Sequence, residues 1–86
     1  MNTMMYTAEY SIDGGPAREE RAGNYQELFR AVQRRVAEEA REDAYMVIRL
    51  DDGVVKYAAE WWKGRKTWSK IIRLIGRKYK PQSEQR

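Results

Sequence analysis

At 86 residues, with 42% hydrophobic content and ten aromatic side chains, the chain has the material for one folded domain with a single thin core, and neither a disordered tail nor a multidomain enzyme is expected. It contains no cysteine and no histidine, which removes disulfides, thiolate metal sites and the usual acid/base near neutral pH. The formal charge of +4 hides a division: residues 63–86 carry nine basic side chains against one acid, a net +8, while residues 1–62 carry eight basic and twelve acidic ones, a net −4.

No apolar run approaches the ~20 residues of a membrane span. Met1–Met5 has no basic stretch ahead of an apolar block, so no signal peptide is expected. The absence of cysteine suits a reducing cytoplasm, which is the expected location.

Met4, Tyr6, Ala8, Tyr10 and Ile12 alternate with Met5, Thr7, Glu9 and Ser11, the period of two of a half-buried strand. Asp13-Gly14-Gly15-Pro16 ends it. Residues 17–23 are polar and are either a loop or an exposed edge continuation of the strand.

A helix is predicted from Asn24, whose side chain can cap it, with Glu27 three residues on completing a pattern close to a capping box. Leu28, Phe29, Val32, Val36 and Ala40 form its apolar stripe. The other face carries Arg30, Arg34, Glu38 and Arg41, with Arg34–Glu38 and Arg35–Glu39 at i, i+4 spacing. Weak ion pairs along a solvated face are the expectation there, ahead of a nucleic-acid face. Glu42 and Asp43 oppose a helix C-terminus, so the helix ends near them.

Residues 44–62 read as a hairpin about a two-residue Asp52-Gly53 loop. That register sets Leu50 opposite Val55, Arg49 opposite Lys56 and Ile48 opposite Tyr57. Met46, Ile48 and Leu50 then share a core face with Val55, Tyr57, Ala59 and Trp61. On the other face Arg49 and Lys56 meet as like charges, either neutralised by the diagonal Asp51 or shared with an anionic partner.

Lys63-Gly64 marks the next turn. Thr67 then caps a predicted helix with Trp68, Ile71, Ile72, Ile75 and Tyr79 on one stripe and Lys70, Arg73, Arg77 and Lys80 on the other face. Gly76 is either its C′ residue or tolerated within it. Trp61, Trp68, Ile71, Ile72 and Ile75 are assigned to the core.

The predicted fold is therefore α+β in the order β-α-β-β-α. A three-stranded, largely antiparallel sheet packs against one long helix, followed by a C-terminal basic amphipathic helix. Residues 1–80 form a single domain and 81–86 a disordered polar tail.

No phosphate-cradling glycine loop is present, and no nucleophile has a base beside it. Glu38, Glu39, Glu42 and Asp43 point apart on successive helix positions and make a poor metal site. The chain is expected to be a binder without catalytic residues, metal or cofactor. Lys63, Arg65, Lys66, Lys70, Arg73, Arg77 and Lys78, joined by Arg49 and Lys56, are the candidate partner-binding residues. They suit a phosphate backbone or an acidic protein face, with Trp62 or Tyr79 as a stacking plane.

Val47-Ile48-Arg49-Leu50-Asp51-Asp52-Gly53, then Tyr57-Ala58, then Lys63-Gly64-Arg65-Lys66 leading to Trp68, following a strand, loop and helix, resemble small anti-CRISPR proteins of phages, in particular type I inhibitors. The likeness covers about residues 4–68; the Ile-rich basic segment after Trp68 departs from it. The resemblance implies inhibition by occupancy. Such a protein binds the RNA-guided surveillance (Cascade) complex, in the cytoplasm of a bacterial host, and prevents target DNA binding or nuclease recruitment. A basic chain suits an acidic patch or exposed nucleic acid within that complex better than it mimics DNA. The alternatives are a small basic nucleic-acid-binding protein and an antitoxin-like or structural partner protein.

Overall fold

The computed structural model describes residues 4–65 and 67–78. Strands β1 (Tyr6–Ile12) and β2 (Arg18–Ala22) are followed by helix α1 (Tyr25–Glu39), then β3 (Asp43–Leu50), β4 (Val55–Trp62) and the short β5 (Trp68–Lys70), with a 3-10 turn at Ile72–Leu74. All five strands form one antiparallel sheet in the order β2-β1-β3-β4-β5. The expected three-stranded sheet with a C-terminal helix is thus replaced by a five-stranded sheet with one helix. Both differences lie at the sheet edges. The expected tail at 81–86 falls outside the described residues.

β1 forms where its alternation predicts, but as an inner strand between β2 and β3 it is buried on both faces and not half-buried. Tyr10 and Ile12 are buried toward the helix together with Ala8, while Thr7, Glu9 and Ser11 are buried on the other face. Asp13 and Gly14 both take positive φ, 53° and 72°, the mirror-image turn geometry that matches strand twist. The Asp13 carboxylate accepts hydrogen bonds from the backbone N–H groups of Arg41, Glu42 and Asp43, at 2.7 Å for Glu42. It thereby ties this turn to the exit of α1.

β2 has almost no apolar residues; its backbone pairs with β1 along its whole length, and exposed ion pairs tie it to the helix. Arg18 pairs with Glu39 at 2.9 Å, Arg35 with Glu20 at 3.0 Å, and the Tyr10 hydroxyl donates to Glu20 at 2.8 Å. These contacts engage Arg35 and Glu39 with the sheet edge, so the Arg35–Glu39 pairing expected along the helix does not form. A highly charged edge strand also discourages pairing with another chain.

α1 begins where expected: the Asn24 side chain accepts from the Glu27 N–H at 3.1 Å. Leu28, Val32 and Val36 are buried against Ala8, Tyr10, Ile12, Met46 and Ile48 in the main core. Phe29 and Tyr25 meet Tyr57 edge-on, at centroid distances of 5.0 and 6.4 Å.

The β3–β4 hairpin keeps Ile48 opposite Tyr57, but Arg49 pairs with Val55 and not Lys56. Lys56 is the extra residue of a β-bulge. The loop has three residues, closed by Leu50 N–H to Val54 O at 3.0 Å, with Gly53 at φ 90°. The bulge carries Val55 to the face away from the helix, where Val47 and Ala58 join it in a second small core.

The predicted C-terminal helix does not form, for a physical reason. β4 would otherwise leave an open edge of backbone donors and acceptors. Residues 68–78 satisfy it: β5 pairs with Ala59, Glu60 and Trp61; Ile71 N–H donates to Ala58 O at 2.7 Å; Gly76 N–H donates to Val55 O; and Val55 N–H donates to Arg77 O. The apolar stripe is divided accordingly. Trp68 joins the main core, Ile71 and Leu74 cover the second core, and Ile72 and Ile75 face solvent, Ile72 at 74% exposure. Ile72 and Ile75 are therefore not core residues. Tyr79 and Lys80 lie outside the described residues.

A candidate anion-binding edge

The path of residues 63–78 along β4 decides where the cations stand. Lys63 and Arg65 occupy the β4–β5 turn, Lys70 ends β5, Arg73 lies in the 3-10 turn, and Arg77 and Lys78 run back beside Val54 and Val55. All six are exposed. They follow one border of the sheet and do not form the face of a helix. Lys66 lies outside the described residues.

Ion pairing divides the molecule. Arg18–Glu39, Arg21–Asp51, Arg35–Glu20 and the Arg49 pairs all belong to the β2–β1–β3 half and the helix. None of the ion pairs among the described residues includes Lys63, Arg65, Lys70, Arg73, Arg77 or Lys78. The one acid between Val55 and Lys78 is Glu60.

Arg49 and Lys56 do not extend this edge as predicted. Glu9 on β1 and Glu19 on β2 are direct cross-strand neighbours, a like-charge contact that is unfavourable by itself. Arg49 reaches from β3 to both, at 3.8 Å from Glu9 and 3.4 Å from Glu19, with its side chain only 14% exposed. It is an internal countercharge. The Tyr45 hydroxyl adds a hydrogen bond to Glu9 at 3.4 Å, and burial, with the Glu9 carboxylate second, raises the Tyr45 pKa. Lys56 is exposed and, as the extra residue of the bulge, does not stand opposite Arg49.

The aromatic residues at the β4–β5 turn sit on both faces. Trp62, on the face away from the helix, is 43% exposed, and the Arg65 guanidinium lies 5.5 Å from its ring centroid. Ser69 Oγ accepts from Arg65 at 3.1 Å, which holds this arginine near the indole. Trp61 and Trp68 are cross-strand partners on the helix side. A helical Trp68 would not make this pairing. The signal for it was the pair of tryptophans flanking the Lys63-Gly64 turn.

Among the described residues no group of three or more His, Cys, Asp or Glu side chains is placed to hold a metal ion. No helix among them is long and apolar enough to cross a membrane. Comparison with family models, curated proteins and solved structures finds no match.

Proposed function

We propose that this chain is a non-catalytic binding module whose β4–β5 border engages nucleic acid through its phosphates. One observation carries the reading: six exposed cations follow one sheet edge, and no ion pair among the described residues uses any of them. Like charges gathered without counterions destabilise a compact state. A polyanion relieves that repulsion, and release of its condensed counterions supplies affinity. Trp62, with the Arg65 guanidinium beside its ring, adds an aromatic and cationic surface at one end of the row. Fluorescence anisotropy with labelled duplex DNA and RNA at low salt tests this. Binding that weakens steeply as salt rises is expected; no binding to either at low salt removes the reading.

A second, more specific reading is that the polyanion belongs to a type I RNA-guided surveillance complex and that the protein inhibits it by occupancy. Its support is the anti-CRISPR resemblance of the sequence alone; the structure departs from the strand–helix–hairpin order that goes with it, since β2 stands between β1 and α1. The bound edge would then obstruct target DNA or nuclease recruitment, in the cytoplasm of a bacterial host if the protein is phage-encoded. Gel filtration with purified type I complexes, followed by target-DNA binding, tests it. Failure to co-migrate with any of them sinks this reading and leaves the first intact.

A further inference from the structure

The helix leaves part of its own side of the sheet uncovered. The α1 backbone lies closest to β1, β2 and β3; it reaches β4 through Tyr25 and Phe29 of its first half, which meet Tyr57. Between the second half of α1 and the β4–β5 pair lies a groove of about 490 Å³. Gln33, Val36 and Ala37 line it from the helix; Trp61, Lys63 and Trp68 line it from the sheet side.

The chemistry of that groove is unusual for a gap in packing. Trp61 and Trp68 are direct cross-strand partners, and both are only half-buried. Lys63 stands at the groove itself. Lys70, two residues beyond Trp68, lies on the same face of β5 and is exposed. No acidic residue lines the groove. An apolar protein segment would cover the indoles but would leave Lys63 without a counterion. A duplex keeps its bases stacked and presents none of their faces to the indoles. An unpaired nucleotide has both an aromatic face for an indole and a phosphate for a lysine.

We infer that this groove is a base-stacking subsite for single-stranded nucleic acid, with Trp68 and Trp61 receiving the base and Lys63 and Lys70 the flanking phosphates. The inference rests on the nucleic-acid reading above and narrows its substrate class: the β4–β5 border supplies phosphate contacts that any polyanion can make, and the groove adds a preference for unpaired bases.

The test uses the full chain carrying Trp62→Phe, so that fluorescence reports only Trp61 and Trp68. The probes are oligothymidine of roughly 12 nucleotides, within the usual site sizes of single-strand binders, a duplex of equal length, and inorganic polyphosphate. Oligothymidine is expected to quench the fluorescence and to bind more tightly than the duplex. Trp68→Leu is expected to weaken oligothymidine binding by about fivefold or more, the lower end for one stacked base, and to leave polyphosphate binding unchanged. Because Trp68 also touches the core, Ala37→Phe serves as a second variant: it fills the groove from an exposed helix position and is expected to reproduce the loss.

Absence of quenching, or an equal effect of both variants on oligothymidine and polyphosphate, overturns the subsite while leaving the phosphate-binding border standing. Failure of all three probes to bind removes both. Sedimentation covers the remaining occupant: a concentration-dependent dimer abolished by Ala37→Phe assigns the groove to a second copy of the chain and likewise overturns the inference.

Discussion

Arg49 offers the sharpest test of how charge is used within the fold. The Glu9 side chain is 4% exposed and its Arg49 partner 14%, at 3.8 Å. At that separation two unit charges attract by roughly 4 kcal/mol for an effective dielectric of about 20, a gain opposed by several kcal/mol of desolvation. The net worth of the pair is therefore modest, but breaking it from one side is costly. Arg49→Met leaves Glu9 buried beside Glu19, and the expected loss is about 3–5 kcal/mol. Glu9→Gln is milder, about 1–2 kcal/mol, because Arg49 keeps Glu19 at 3.4 Å. The double variant should cost less than the sum of the two, by about 1–3 kcal/mol. Urea unfolding followed by circular dichroism reads all three. Additive costs within ~0.5 kcal/mol, or a milder loss for Arg49→Met than for Glu9→Gln, would refute the countercharge role. Polyanion affinity of the folded Arg49→Met protein should be unchanged, since this arginine does not face a partner.

Asp13 should show itself through pH. Hydrogen bonds from backbone N–H groups, that of Glu42 foremost, hold its pKa below the ordinary carboxylate value. The stability it contributes is therefore complete above the unfolded pKa of about 4 and is lost as pH falls through the lower folded value. Asp13→Asn should accordingly shift the urea midpoint at pH 7 and converge with the parent protein in strong acid; an equal shift at both extremes contradicts the assignment. The course of residues 68–78 is tested by two neighbouring isoleucines. Ile71 covers Val47, Val55 and Ala58, so Ile71→Ala should cost about 1–3 kcal/mol, whereas Ile72→Ala at 74% exposure should stay within about 0.5 kcal/mol. Comparable losses at both would favour the helical stripe over the observed path.

Local signals made the centre of the fold legible. Asn24 caps the helix and Leu28, Val32 and Val36 line its buried stripe because both effects act within a few residues. The alternation of β1 and of β3 likewise follows from one face meeting the helix. The edges obey longer-range demands. β2, with the sequence Arg-Glu-Glu-Arg-Ala, carries almost no hydrophobic period and meets the helix through Glu39 and Arg35; its available signal was Asp13-Gly14, a dipeptide that favours a tight turn. The bulge at Lys56 brings Val55 onto Val47 and is invisible until the second face of the sheet is known to have a core. Trp68, Ile71, Ile72 and Ile75 have true helical spacing, yet the unpaired edge of β4 claims their backbone. For the candidate site, the concentration of cations in residues 63–78 was evident from composition. Which of them share a surface was not, and the wrong register joined Arg49 to them.

In the proposed function the β4–β5 border, not the arginine row of α1, meets nucleic acid. Its most direct measurement is the salt dependence of duplex-DNA affinity. With four or five phosphates neutralised, log K against log salt should have a slope of about −4. Replacing Lys70, Arg73, Arg77 and Lys78 together by Gln should flatten it to about −1, while Arg30→Gln with Arg34→Gln should leave it unchanged. A slope that survives loss of the border cations, or that collapses with the helix arginines, would contradict the account.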